Sequence, residues 1–169
     1  MGLSMNWVFR VLIAATLLLS GCQQYDIHFN DRLLRAAPIL FTDYRIDDPS
    51  LDQCVQQAII DGRVTEAQGL TQLNCSSGGI KTLFGLSRFK GLRQLKLSDN
   101  KLRNLVELTQ LPELESIWLD GNQVVDPVPV LKLPKLDALD LSHNPRLQCP
   151  APELTRPVAH LTLPEHCLP

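Results

Sequence analysis

Three stretches of the chain read Leu92-Arg-Gln-Leu95-Lys-Leu97-Ser-Asp-Asn100-Lys-Leu102, Leu114-Glu-Ser-Ile117-Trp-Leu119-Asp-Gly-Asn122-Gln-Val124 and Leu136-Asp-Ala-Leu139-Asp-Leu141-Ser-His-Asn144. The stretches start at evenly spaced positions, and the apolar residues recur in the same places within each. A fixed period of this length is typical of a repeat solenoid, in which every coil needs its neighbours. The sequence therefore predicts stacked coils rather than a single closed core.

The apolar residues of each stretch also predict where the strands lie. Side chains alternate between the two faces of a strand, so Leu95 and Leu97 share a face. One short strand cannot bury two leucines by itself, but stacked coils can. The spacing L-x-x-L-x-L-x-x-N-x-L resembles the leucine-rich repeat family. That resemblance implies an α/β solenoid that curves into an arc, with the strands on its concave side.

An asparagine follows each strand, at Asn100, Asn122 and Asn144. The chain turns there, and backbone groups lose their strand partners. A buried Asn both donates and accepts hydrogen bonds, so we expect a structural ladder between coils rather than catalytic or ligand-binding residues. After Asn100, apolar residues return at every third position (Leu102, Leu105, Leu108 and Leu111), which favours 3₁₀ or extended structure on the convex side. In the third coil, Pro127 and Pro129 argue against an α-helix.

The same register continues in both directions along the chain. It reaches back to Leu70, where Gly78 replaces the Asn, and forward to Val158, where the last unit stops short. Atypical end units are expected in a solenoid. We therefore expect about five coils in residues 70–169, with a C-terminal cap.

Residues 48–69 are predicted to form a short N-terminal cap. Apolar residues from Leu51 to Ile59 fall at helical spacing, after a capping Asp48 or Ser50, and Gly62 ends the pattern. The open edge of the first coil would otherwise expose unpaired strand groups. We expect the helix to cover that edge.

Residues 1–21 have the pattern of a secretory signal peptide. Arg10 precedes an apolar run, Val11–Leu19, that is too short to span a bilayer comfortably. The sequence Leu19-Ser-Gly-Cys22 resembles the bacterial lipobox, which implies cleavage before Cys22 and attachment of acyl chains to it. An ordinary signal peptide or an uncleaved anchor is the alternative, and Met1 and Met5 both fit as the start.

Gln23 and Gln24 follow the lipidation candidate, with no Asp. The sorting rule of enteric bacterial lipoproteins then implies the outer membrane, with the protein facing the periplasm. Cleavage would remove one charge, Arg10, and leave a net charge of about −3. This weakly acidic balance argues against nucleic acid as a partner and against electrostatic docking to anionic lipid. The attached lipid would be the anchor.

Residues 22–47 give the least information. The alternation of apolar and polar residues in 25–30 fits one strand. After it, Pro38 and Pro49 interrupt regular secondary structure. A tether between lipid and repeats is equally compatible. Whether this segment packs on the repeats is left open.

Four cysteines remain if Cys22 carries lipid, and an even number in an exported chain favours disulfides. Cys54 lies on the cap helix and Cys75 takes an inward position in the first strand, whereas Cys149 and Cys167 end the last two coils. Of three possible pairings, position favours Cys54–Cys75 and Cys149–Cys167, each closing a loop of roughly 20 residues worth about 3 kcal/mol. Zinc binding by cysteines with His166 is the alternative, without any C-x-x-C pair to support it.

The outward positions of the strands supply the candidate binding residues. Trp118, the only Trp after the signal peptide, stands on the middle coil between Lys96 and Asp140. Tryptophan is enriched among interface hot spots, which lie near patch centres. The alternative is that another part of the chain covers it. The predicted partner-binding residues are Gln94, Lys96, Ser116, Trp118, Asp120, Asp140, Ser142 and His160.

Enzyme motifs are scarce in the sequence. His143, Asp140 and His160 would suit a metal-dependent enzyme in principle, but a solvated turn residue explains His143 as well. There is no Gly-rich phosphate loop and no nucleophile elbow. We therefore expect no enzymatic activity, no cofactor and no metal.

The repeats and the lipobox together resemble a bacterial leucine-rich repeat lipoprotein with internalin-like 22-residue repeats. This resemblance implies a monomeric, lipid-anchored module of the cell envelope that binds a protein partner through its concave face. A structural or assembly spacer without a single high-affinity ligand is the second hypothesis. A change at Trp118 would then have little effect.

Overall fold

The computed structural model of the chain describes residues 27–29, 32–35, 40–155 and 157–168. The predicted signal peptide, residues 1–21, and the lipidation candidate Cys22 lie outside the described residues. Among the residues that are described, no helix is both long and apolar enough to cross a bilayer. The chain divides into two compact units, and the boundary lies between Pro38 and Ile39.

The first unit contains an antiparallel hairpin of two strands, β1 (Ile27–Phe29) and β2 (Arg32–Arg35). The strand β1 falls in the stretch 25–30, for which the sequence left a strand and a tether open. Its partner β2 was not predicted, because a short segment with arginines at both ends lacks the apolar alternation of a half-buried strand.

The second unit is built on a five-stranded parallel sheet. Its strands, in both chain order and spatial order, are β3 (Gln72–Asn74), β4 (Gln94–Lys96), β5 (Ser116–Trp118), β6 (Ala138–Asp140) and β7 (His160–Thr162). Every strand pairs with the next at an offset of one sequence period, so that Leu95 faces Ile117 and Ile117 faces Leu139. The sheet therefore follows the sequence period residue by residue, as a leucine-rich repeat solenoid requires.

The core lies on the inward side of these strands. Leu95, Leu97, Ile117, Leu119 and Leu139 are each at most 1% exposed. Further leucines from the convex side close over them, and the buried cluster continues from one coil to the next. Coil stacking thus provides the burial that a single strand could not.

The convex side differs from the sequence prediction in two coils, the third with Val128–Leu131 and the fourth with Pro152–Thr155, which are short α-helices. Leu86–Arg88 and Val106–Gln110 are 3₁₀ helices, as the period of three indicated. In the third coil, however, Val128–Leu131 is a short α-helix, and the expectation against one was wrong. Pro127 precedes this helix and Pro129 lies in its first turn, where proline is tolerated because no N–H is needed there.

The helix predicted before the repeats is α1 (Pro49–Gly62), and it packs against β3. The Asp48 carboxylate accepts hydrogen bonds from the N–H groups of Ser50 and Leu51, and its other oxygen accepts from Lys81 and Thr82 of the first coil. Burial raises the pKa of this carboxyl, but these four bonds together outweigh burial and hold the pKa below its ordinary value. One side chain thus joins the helix start to the repeats.

The end of α1 lies one residue beyond the predicted position. Gly62 is still helical, and Arg63 adopts the left-handed conformation with φ of 50°. A disulfide between Cys54 and Cys75 then ties the helix to the first coil, which confirms the predicted pairing.

Residues 40–47, which the sequence placed in the tether region, lie against α1 and the first coil. The Phe41 N–H donates to the Val64 carbonyl at 2.8 Å. The rings of Phe41 and Tyr44 pack on buried Phe89, with centroids 6.0 and 5.3 Å from it. A β-carbon added to Gly85 would come within 2.0 Å of a backbone oxygen of this segment, so the close approach requires glycine.

The C-terminal end is closed by a second disulfide, Cys149–Cys167, as predicted. The loop between these cysteines contains a short helix, Pro152–Thr155, and the strand β7. The Nε2 atom of His166 lies 3.0 Å from the Leu147 carbonyl oxygen. This ring therefore contacts the fourth coil's backbone.

Candidate functional site

The outward side chains of β3–β7 form one surface, here called the strand face, which is the concave face of the predicted arc. The strand register arranges them in two rows that run across the coils. The first row contains Gln72, Gln94, Ser116, Ala138 and His160, and the second contains Asn74, Lys96, Trp118, Asp140 and Thr162. Every predicted binding residue from within β4 to β7 lies in one of these rows.

A third row begins where the strands end. Ser98, Asp120 and Ser142 occupy equivalent positions in consecutive coils, and the Ser98 hydroxyl donates to an Asp120 carboxylate oxygen. The Ser142 N–H donates to Oδ1 of Asp140 at 2.9 Å. These bonds fix the direction of both carboxylates. All eight predicted residues are therefore brought to the same surface.

The turn after each strand uses a left-handed residue at the same position of four coils. These residues are Ser77, Asp99, Gly121 and His143, with φ between 53° and 66°. Their spacing equals the repeat period, which explains His143 as a turn residue. Asn and Asp are favoured at such positions, and glycine is freely accepted there.

Trp118 lies at the centre of the strand face, with two strands on either side of its own. It is partly exposed, and the Lys96 ammonium lies 4.9 Å from the centroid of its ring. This is within the range of a cation–π contact, worth about 0.5–1 kcal/mol at an exposed site. The contact holds the large ring against the neighbouring strand.

The other neighbour of Trp118 has the opposite charge. Asp140 is its register partner on β6, and Asp120 lies two positions further along the same coil. Among the described residues, neither carboxylate forms an ion pair. Each carboxylate instead has one oxygen bonded to a serine. Trp118 thus has a cation beside it on β4 and a carboxylate beside it on β6, and a second carboxylate, Asp120, lies on its own coil.

The asparagine ladder keeps the strand face rigid. Asn122 is 3% exposed, and its amide donates to the carbonyls of Leu97 and Leu119, at 2.8 and 3.0 Å. Its side-chain oxygen accepts from the Leu102 N–H at 3.0 Å. Asn100 and Asn144 bond to their own and the preceding coil in the same way. These bonds fix the coil spacing, and with it the spacing of the rows.

Metal chemistry finds little support in the arrangement of potential ligands. In residues 40–155 and 157–168, the group of three whose donor atoms all lie within 4.8 Å of one another is Cys149, His166 and Cys167. Both cysteines are in a disulfide and offer no thiolate. His143, Asp140 and His160 do not form such a group.

An open depression of about 530 Å³ lies at the other end of the sheet, beside α1. Its lining includes Gln53, Gln57, Asp61 and Asn74. These are mainly amides with one carboxylate, which does not assemble a nucleophile, a base and an oxyanion site.

The sequence missed two contacts on and near the strand face. It placed Lys96 beside Trp118 but did not predict that the ammonium would stack on the ring. It also missed the ion pair between Arg93 and Glu115, whose charged atoms are 3.6 Å apart and which lie just before β4 and β5. The partners of both pairs are one repeat apart, so the period itself would have identified them.

Comparison with known proteins supports the fold. No family model and no curated protein matches the chain. Among solved structures, internalin C2 of Listeria monocytogenes is similar, with a TM-score of 0.58 and 23% identity over 69% of this chain. The chain spans 53% of the length of that protein. A second internalin of the same organism, InlF, gives a TM-score of 0.48 and 17% identity over 69% of this chain and 42% of its own.

The similarity to internalin C2 shows the fold of the chain. The five parallel strands, their constant offset and the likeness to internalin C2 together make residues 70–168 a leucine-rich repeat solenoid. The predicted fold class is confirmed at this level.

Proposed function

We propose that the chain is a lipid-anchored module of the bacterial cell envelope that binds a protein partner through its strand face. In this proposal α1 and the Cys149–Cys167 loop cap a solenoid of five coils. The module acts as a monomer, without enzymatic activity or a cofactor. Its lipid is attached at Cys22, and it faces the periplasm from the outer membrane.

One observation carries the binding proposal, namely the partly exposed Trp118 at the centre of the strand face. The core does not need this residue, since Ile117 and Leu119 provide the burial of its coil. Exposed tryptophan at the centre of a rigid surface is a frequent hot spot, and truncating one typically costs about 2 kcal/mol or more. The Lys96 ammonium contacts the ring from the neighbouring strand.

The test is a crosslinked pull-down from cell envelopes, with wild type, Trp118→Ala and the control Phe84→Ala. Phe84 is 57% exposed on the convex side, so its variant removes an exposed aromatic ring away from the strand face. We expect Trp118→Ala to lose the captured protein and Phe84→Ala to retain it, about a 30-fold difference in affinity. Thermal melting must first show that both variants fold.

Equal capture by all three proteins would contradict binding at the strand face. The structural spacer hypothesis would then be favoured, because it needs no particular residue there. If none of the three proteins captures anything, the module has no stable protein partner in the envelope, and the spacer hypothesis is again favoured.

The lipid anchor is tested separately. We expect Cys22→Ser to abolish incorporation of labelled palmitate and to move the protein from the membrane to the soluble fraction, because a lipid anchor needs the acyl chains. Gln24→Ser, outside the lipobox, is the control. Under the enteric sorting rule, Gln23→Asp should keep the protein in the inner membrane.

A further inference from the structure

The charges around Trp118 indicate what kind of partner the strand face would accept. On the β4 side, the single cation, Lys96, already lies against the ring of Trp118. Asp140 on β6, and Asp120 on the coil of Trp118 itself, have no cationic partner among the described residues. With one cation and two carboxylates, the net charge around Trp118 is therefore negative.

A third carboxylate lies on the coil of β4, next to Asp120. Asp99 is exposed in the turn after β4, and its N–H donates to the Asp120 carbonyl at 2.9 Å. Gly121 is the equivalent residue of the next coil, and the Asp99 carboxylate lies against it, where a β-carbon would collide with Oδ1. The nearest cation at the start of the strands, Arg93, is paired with Glu115.

The ring of Trp118 adds an independent reason for a cationic ligand. Its contact with Lys96 shows that one face of the ring accommodates a positive charge. The strand register places Asp140 next to the ring on the opposite side. A guanidinium group stacks on aromatic rings and binds carboxylates in a bidentate manner, so an aromatic ring beside a carboxylate suits arginine.

We propose that the partner presents a basic, arginine-bearing segment, which crosses the strand face over Trp118 and places its cations against Asp120 and Asp140. This inference rests on the proposed binding function and specifies its ligand. An acidic segment would face two unpaired carboxylates, and the one available ammonium is already in contact with Trp118. The strand face therefore selects by charge as well as by its aromatic ring.

The direct test uses hexa-arginine as the probe and Trp118 as the reporter. In a chain without the signal peptide, Trp118 is the only tryptophan, so its emission reports on this surface alone. We expect hexa-arginine to change the emission in a saturable manner, and hexa-glutamate to leave it unchanged. Raising the salt concentration should weaken the binding, since these charges are accessible to solvent.

The decisive variant combines Asp120→Asn with Asp140→Asn. Asparagine keeps an oxygen to accept the bonds from Ser98 and Ser142, and only the two charges are lost. The matched control combines Glu66→Gln with Glu153→Gln, which removes two exposed charges from other parts of the surface. We expect hexa-arginine affinity to fall about tenfold in the first variant and to change less than twofold in the control.

Equal affinities in the two double variants would overturn the inference, because attraction to net charge alone would then explain the binding. Failure of hexa-arginine to bind the wild type would overturn it too. The envelope pull-down separates this result from the broader proposal. Capture that depends on Trp118 but not on Asp120 and Asp140 would leave the strand face as the binding surface and refute only the basic partner.

Discussion

Replacing Asn122 with alanine tests whether the asparagine ladder holds the coils together. The side chain is 3% exposed, and its oxygen accepts from the Leu102 N–H. That N–H would lose its partner in a place where Leu102 is fully buried, at a cost of about 1–3 kcal/mol.

The two carbonyls that accept from the Asn122 amide, those of Leu97 and Leu119, would each lose only one of two hydrogen bonds. The Leu97 carbonyl also accepts from Asn100, and the Leu119 carbonyl also accepts from Asn144. Each therefore keeps one donor, and each lost bond costs about 0.5–1.5 kcal/mol. The total is about 4 kcal/mol, with a range of about 2–6 kcal/mol, which would lower the melting temperature by roughly 10 °C for a domain of this size.

The assay is urea unfolding with both disulfides intact, and Asn104→Ala is the matched control. Asn104 is exposed, and its oxygen accepts only from the Val106 N–H, which water can also reach. We expect Asn104→Ala to cost less than about 1 kcal/mol. If Asn122→Ala costs no more than this control, the ladder does not stabilise the coils, and the reasoning from unsatisfied buried groups fails.

Three further predictions concern the ends of the solenoid. Four hydrogen bonds from backbone N–H groups hold the pKa of Asp48 below its ordinary 3.8. The stability that this carboxylate contributes is therefore present above pH 3.8 and is lost as the pH falls through the lower pKa of the folded state. Asp48→Asn should weaken the protein at pH 7, and it should make stability depend less on pH in the acid range. Gly85→Ala should destabilise by more than Gly79→Ala, by at least about 1 kcal/mol in thermal melts, since both have positive φ but only Gly85 abuts backbone; equal effects would refute the close approach. Replacing Cys149 and Cys167 with serine should cost about 3 kcal/mol in urea unfolding, whereas titration of the oxidised wild type without its signal peptide and Cys22 should find no free thiol; two free thiols would refute the pairing.

Most of the sheet could be predicted because its period appears directly in the sequence. Leu95, Ile117 and Leu139 each specify an inward position, and the fixed offset between them then determines every strand pair. The helix α1 was equally predictable, because Asp48 and the apolar spacing after it are local features. Both disulfides could be inferred from these positions.

The segment 40–47 could not be predicted in the same way. Its attachment depends on Phe41 and Tyr44 meeting Phe89, which lies beyond both α1 and β3 in the sequence. No period relates these rings, and contacts across such a separation leave no local pattern. The α-helical turn of the third coil was missed for another reason, since prolines that exclude a helix interior are acceptable in its first turn.

The candidate site could be predicted in part. The register predicts which positions point outward, but the core does not depend on what occupies them. Gln94, Ser116 and Ala138 show that small or neutral side chains suffice in the first row. A tryptophan with a lysine on one side and an aspartate on the other is therefore not required by the fold. The proposed binding function would account for these identities, so substitutions that change charge or aromatic area on the strand face are the ones that test it.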